Sequence, residues 1–144
     1  MKKTFCNLME YYGQIEEYGC KRLLEVVKAS PDIMNEFSFL LDLEPSNFFL
    51  ESSEECYDRL SKEAKEARKN GLFLPLHYLK NAFGLNRFEM DIVIFTLLPE
   101  LNRRYEKVYG LLNDDSSMQL PTVELLLTLS DGTNEDVIEK RRLL

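Results

Sequence analysis

Cysteine is scarce in this chain and odd in number: Cys6, Cys20 and Cys56, with no CxxC pair. That spacing excludes a disulfide framework and a zinc-finger ligand set, and it fits reduced thiols in a cytoplasmic protein. Histidine is scarcer still. His77 stands alone, so a Ser or Cys nucleophile has a single candidate base. It lies in a helix-like stretch with no Cys or carboxylate at ligand spacing, which reads as a structural histidine. GxxxxGK[ST], GxGxxG, HExxH and GxSxG are all missing. Phosphate cradling, zinc hydrolysis and esterase chemistry therefore have no local support. No apolar run approaches the ~20 residues of a membrane span. Met1-Lys2-Lys3 could open a signal peptide, but Asn7, Glu10, Gln14 and Glu16 interrupt its apolar core. Six glycines and five prolines leave little room for long irregular loops. The expectation is a cytoplasmic, non-membrane protein that is no enzyme and has no catalytic residues, cofactor or metal.

What is present is the balance of one soluble domain. The chain has 144 residues, 44% hydrophobic and 30% charged, enough to bury roughly 68–70% of its unfolded surface. Its net charge is −7, divided −4 over residues 1–72 and −3 over 73–144. That field repels nucleic-acid phosphates and anionic lipid unless a local basic patch intervenes.

The pattern predicts an all-α fold of about seven or eight helices in a single domain, residues 1–144. Lys3 to Ala29 is a long amphipathic helix whose stripe runs through Phe5, Leu8, Tyr12, Ile15 and Val26, with Leu23 and Val27 beside it. Gly13 and Gly19 each weaken it by roughly 1 kcal/mol against Ala. Ser30-Pro31-Asp32 opens a second helix with Ile33, Met34, Phe37, Leu40 and Leu41 on its buried face. Ser52 and Glu55 form a capping box for a third, whose Lys62, Glu63, Lys65, Glu66, Arg68 and Lys69 read as a solvated face with helix-spaced ion pairs. Asn70-Gly71 ends it. Pro75 begins a short helix that Gly84 stops.

Asn86 and Glu89 cap the next segment, in which Ile92, Val93, Ile94, Phe95, Leu97 and Leu98 are apolar on all sides. This predicts a central, fully buried helix, although Ile-Val-Ile-Phe also has strand character. Pro99 predicts a kink or break, since it cannot donate to the Phe95 carbonyl. Leu101, Tyr105, Val108, Tyr109 and Leu112 supply the packing face of the helix that follows. Pro121-Thr122 opens another helix, and Thr133 or Asn134 caps a last one. Glu139 to Leu144 stays helix-like with no stop signal, as expected of an N-terminal piece of a longer protein.

Adjacent carboxylates occur at Glu16-Glu17, Glu54-Glu55 and Asp114-Asp115. Neighbours on a helix point in different directions, so only Asp114-Asp115 could converge on one substrate. These two acids follow a helix C-terminus, where the dipole disfavours them. They need another partner, either the N–H groups of a following turn or an arginine. The expected arrangement is a structural polar cluster of Glu100, Arg104 and one of Asp114 or Asp115, bracing the Pro99 bend.

The segment Phe88 to Leu129 resembles the winged-helix-like N-terminal region of a group of bacterial AAA+ ATPases, members of which are found beside contractile injection systems. The matching features are Phe88-Glu89-x-Asp91, the apolar run to Leu98, Pro99-Glu100-Leu101-Asn102-Arg103-Arg104-Tyr105, Tyr109-x-x-Leu112, Asn113-Asp114-Asp115 and Pro121-Thr122-Val123-x-Leu125. Ser116, Ser117, Met118 and Gln119 stand where that group commonly has arginines. The resemblance implies a winged-helix-like or helix-turn-helix region over 71–144, with residues 1–70 unmatched. It also implies an ATPase module beyond Leu144. The role implied is a non-catalytic domain that recognises a partner, a substrate or the rest of its own ATPase chain. Two alternatives stand beside it: a nucleic-acid-binding helix-turn-helix module and a stand-alone helical protein-interaction domain. In the nucleic-acid reading, Pro121–Ser130 is the recognition helix. Leu111 through Asn134 holds no Lys or Arg and four acids, so that helix has no donor for phosphate or guanine and no nucleic-acid partner is expected.

Overall fold

A computed structural model describes residues 5, 7–28, 51–129 and 142. The described residues form six helices and no strand: α1 (Leu8–Lys28), α2 (Ser53–Lys69), α3 (Pro75–Phe83), α4 (Arg87–Leu101), α5 (Arg104–Leu112) and α6 (Val123–Leu129). The expected count of seven or eight was for the whole chain, and six of those helices fall among the described residues. The helices read at 30–41 and from 133 onward lie outside the described residues. None of the six is long and apolar enough to cross a membrane.

Local chemistry sets most boundaries. Asn7 Oδ1 accepts from the Glu10 N–H at 2.9 Å and caps α1. Both capping boxes form. Ser52 and Glu55 exchange bonds of 3.2 and 2.9 Å, and Asn86 and Glu89 exchange bonds of 3.0 and 2.8 Å, satisfying N–H groups that the first turn leaves open. At the other end of α2, Gly71 adopts φ 87°. Its N–H reaches Arg68 O at 3.0 Å and the Leu72 N–H reaches Ala67 O at 3.0 Å, the Schellman pairing that a left-handed residue permits.

Two cores lie on either side of an α1–α4 spine. One joins Leu23 and Leu24 of α1 to Phe95 and Leu98 of α4, Tyr109 of α5 and Leu126 of α6. The other joins Tyr11, Ile15 and Tyr18 of α1 to Leu60 and Ala64 of α2, Leu76 of α3 and Ile94 of α4. The buried stripe of α1 is therefore rotated from the expected one. Tyr11 and Tyr18 are inside, Tyr12 is half-buried and Leu8 is exposed. Two large rings remove more apolar area from water than the aliphatic choice, and α1 has partners on two sides rather than one. The side chains of Val26 and Val27 lie outside the described residues.

α4 is central but is not buried all round, which corrects the expectation. Met90, Asp91, Ile94, Phe95, Leu98 and Pro99 are buried, while Ile92, Val93 and Leu97 are half-buried and Thr96 is exposed. The Thr96 hydroxyl bonds back to Val93 O at 3.2 Å. Asp91 is the one buried acid of this helix, and it accepts from the Tyr18 hydroxyl at 2.5 Å.

Pro99 neither breaks nor ends α4, which corrects the break that was one of the two outcomes expected there. The helix runs on to Leu101 and stops at Asn102, which is extended at φ −154°. The Phe95 carbonyl, which loses its helical donor to the proline, accepts instead from the buried Tyr109 hydroxyl at 2.5 Å. Burial raises the Tyr109 phenol above its usual range, so the ring stays protonated as a donor. A side chain of α5 therefore supplies the hydrogen bond that the backbone of α4 cannot make.

Candidate interaction groove

The outward face of α5 and the turn after it enclose an open groove of about 590 Å³. Arg103, Glu106, Lys107, Gly110, Leu111 and Asp114 line it at helical spacing, and Asp115, Ser116 and Gln119 close it from the loop. Gly110 is needed at its floor. A Cβ there would sit 3.2 Å from Ser116 Cα, so the loop could not lie as close to α5 with any side chain in between.

The loop is held by its own polar residues. Asp114 takes φ 52°, a left-handed conformation that Asp tolerates better than most residues. The Asp115 N–H returns to Gly110 O at 2.9 Å. Asp115 Oδ1 accepts the Ser117 N–H at 2.9 Å and the Ser117 hydroxyl at 2.6 Å, which holds this exposed carboxyl below its ordinary range. Asn113 spans the turn, with Nδ2 donating to Leu120 O at 3.2 Å and Oδ1 accepting from Thr122 Oγ1 at 3.0 Å. Thr122 in turn caps α6 by accepting the Leu125 N–H at 3.2 Å.

Of the two partners foreseen for the doubled acid, the following turn is the one used. The expected cluster does not assemble among the described residues. Glu100, Arg104, Asp114 and Asp115 are all exposed, and the ion pairs found elsewhere include none of them. The physical reason is that both needs are met locally. Tyr109 satisfies the proline-freed carbonyl and Ser117 satisfies Asp115. The Arg104 N–H bonds to Asn102 Oδ1 at 3.1 Å, and its side chain is free for solvent.

Sequence reasoning missed a charged seam between α1 and α2. Arg59 grips Glu51 with Nε at 2.9 Å and Nη2 at 3.0 Å, and it also reaches Gln14. Lys21 Nζ donates to Glu51 O at 2.8 Å and lies 3.8 Å from Glu17. Donor atoms of Glu17, Glu51 and Cys56 lie within 4.8 Å of one another, close enough for a metal. The chemistry opposes one. Arg59 and Lys21 already neutralise the carboxylates, and burial pushes the Cys56 thiol up to about 12, so an ion would have to displace two cations and the thiol proton to bind there. The seam fastens two helices.

α4, α5 and α6 share one core with Leu23 and Leu24 of α1, and α6 lies within the segment read from sequence as the candidate recognition helix. Its Leu125, Leu126, Leu127 and Leu129 are buried, and Val123, Glu124 and Thr128 face outward. A family model described as the winged helix domain, variant, matches residues 46–144. The chain belongs to that family. No curated protein and no solved structure matches it. In this winged-helix chain the outward face of α6 carries one carboxylate and no cation. Around it Met118, Leu120 and Val123 are 47%, 59% and 51% exposed. A duplex-reading helix needs cationic or amide donors at these positions, whereas an acidic and apolar surface suits a protein.

Proposed function

We propose that this winged-helix chain is a non-catalytic, cytoplasmic domain that recognises a protein through the groove between α5 and the loop that follows it. The partner is either a separate protein or the rest of an AAA+ ATPase-like chain to which the domain belongs. The observation that carries this reading is the character of the groove and its surroundings. Leu111 is exposed in the groove among Arg103, Lys107, Asp114 and Asp115, and Met118, Leu120 and Val123 are exposed along the chain that leaves it, apolar side chains with a polar rim as protein interfaces have. The resemblance of Phe88–Leu129 to AAA+ N-terminal regions supports the wider setting.

Two titrations test the reading. A 20-base-pair duplex titrated by fluorescence anisotropy at ~150 mM salt is expected to show no binding, because the net charge and α6 are both acidic. Calorimetry with Mg-ATP is expected to show no heat, since the chain has no phosphate-binding loop. Salt-sensitive duplex binding would favour the nucleic-acid alternative, and a micromolar ATP affinity would overturn the non-catalytic assignment.

A further inference from the structure

The two ends of the spine carry opposite charge. Between Glu66 and Glu89 the sequence has no acidic residue, and this stretch covers the end of α2 and all of α3. Lys62, Lys65, Arg68, Lys69 and Lys80 make no ion pair among the described residues; of the helix-spaced pairs expected on α2, Arg59–Glu63 forms at 3.8 Å, with Glu63 buried rather than solvated. Lys65, Arg68 and Lys80 lie near His77 and, after the burial of its ring, hold it below its ordinary range. On the same α2–α3 unit Phe73 and Tyr78 are 60% and 58% exposed, with ring centroids 5.5 Å apart. This is a basic surface with an aromatic platform on a protein of net charge −7. At the other end, residues 111–129 contain no Lys or Arg, and Asp114, Asp115 and Glu124 are exposed among Met118, Leu120 and Val123.

We infer that the α2–α3 face of one copy docks on the acidic 113–124 loop of a second copy, so that this chain associates head to tail. The inference rests on the protein-binding reading of the groove and names a second copy as its partner. Charge and apolar exposure both match across the contact. α2 and α3 pack on the core of Tyr11 and Tyr18, and α5 and α6 on the core of Leu23 and Leu24. The complementary faces therefore belong to opposite cores, one at each end of the spine, and they meet between copies. Such a contact is heterologous, so it extends to a ring or a filament rather than closing at two. A nucleic-acid strand fits less well. From Lys62 to Lys69 α2 advances only about 10 Å at 1.5 Å per residue, so a longer polyanion would run onto acidic surface.

Sedimentation velocity on the whole chain tests this. Wild type is expected to associate at ~50 mM salt and to dissociate at ~0.5 M, where charges are screened within a few ångströms. Lys65→Glu with Lys69→Glu removes one face. Asp114→Asn with Glu124→Lys removes the other, Asn being chosen because it keeps the left-handed backbone at 114. Each double variant alone is expected to be monomeric, with association weakened at least about tenfold by like charges. An equimolar mixture of the two retains one intact pair of faces and should stop at a dimer. A monomeric wild type, salt-insensitive association, or a mixture that stays monomeric would overturn the inference. Circular dichroism checks that both variants fold. If either does not, Lys62→Gln and Glu124→Gln single variants, each expected to weaken association, take their place. The failures are distinguishable: a monomeric wild type ends self-docking alone, while duplex-DNA binding ends the protein-binding reading as well.

Discussion

Leu98→Ala is expected to lower the unfolding free energy by about 2–5 kcal/mol. Leu98 is fully buried at the crossing of α1 and α4 and belongs to the core that unites α1, α4, α5 and α6. The crossing is close because α1 offers Gly19 there. A Cβ built on Gly19 would sit 2.7 Å and 2.8 Å from the two Leu98 Cδ atoms, well inside van der Waals contact. Gly19→Ala therefore sets a helix-propensity gain of roughly 1 kcal/mol against a forced shift in a packed core. The net expectation is a loss of about 1–3 kcal/mol. In the Leu98→Ala background the added methyl enters vacated space, so the same substitution should become neutral or stabilising, a coupling above about 1 kcal/mol. Gly13 is the control. It is exposed with nothing within 4 Å of a built Cβ, and Gly13→Ala should stabilise by up to about 1 kcal/mol. Urea melts resolve all four variants. If Gly19→Ala stabilised as Gly13→Ala does, the close crossing would be refuted.

Tyr109→Phe should cost about 1–3 kcal/mol, the range for leaving a buried carbonyl without its donor. Both the hydroxyl and the Phe95 carbonyl are buried, 2.5 Å apart. A rescue is expected. Pro99→Ala restores an N–H one helical turn after Phe95, so in that background the phenol is no longer the sole donor. The loss on Tyr109→Phe should then fall below about 1 kcal/mol. Equal losses with proline and with alanine would mean that the phenol acts only through packing.

These residues show why parts of the fold could be read from sequence and others could not. Ser52 with Glu55, Asn86 with Glu89, Asn70-Gly71, Pro75 and Gly84 all act within a few residues of themselves, so their roles are legible in order along the chain. The effect of Pro99 depends on Tyr109, whose place above Phe95 is set by the packing of α5. Sequence alone therefore reads a break where tertiary structure repairs the helix. Gly19 reads as a weak point in α1 because its reason, Leu98, lies far along the chain. The rotation of α1 toward Tyr11 and Tyr18 likewise needs knowledge of a second core. The α1–α2 seam joins Gln14, Glu17 and Lys21 to Glu51 and Arg59, separations that leave no local signature. For the groove, Asp114 and Asp115 were legible as acids needing a turn, and Ser117 supplies it. Glu100 and Arg104 satisfied every local rule for a pair, yet both face solvent. Leu111 gave the one available hint, an apolar residue off the packing face of Tyr105, Val108 and Tyr109.

The groove between α5 and the loop after it is proposed to hold a protein. Site-specific photo-crosslinking measures this most directly, with a benzophenone amino acid placed at Leu111 of the protein in its native cell and, as control, at the exposed Thr96 on α4, which lies on neither the groove nor the α2–α3 face. A discrete protein adduct is expected from position 111 and none from position 96. An adduct to nucleic acid at position 111, or the same absence of adducts at both positions, would contradict it.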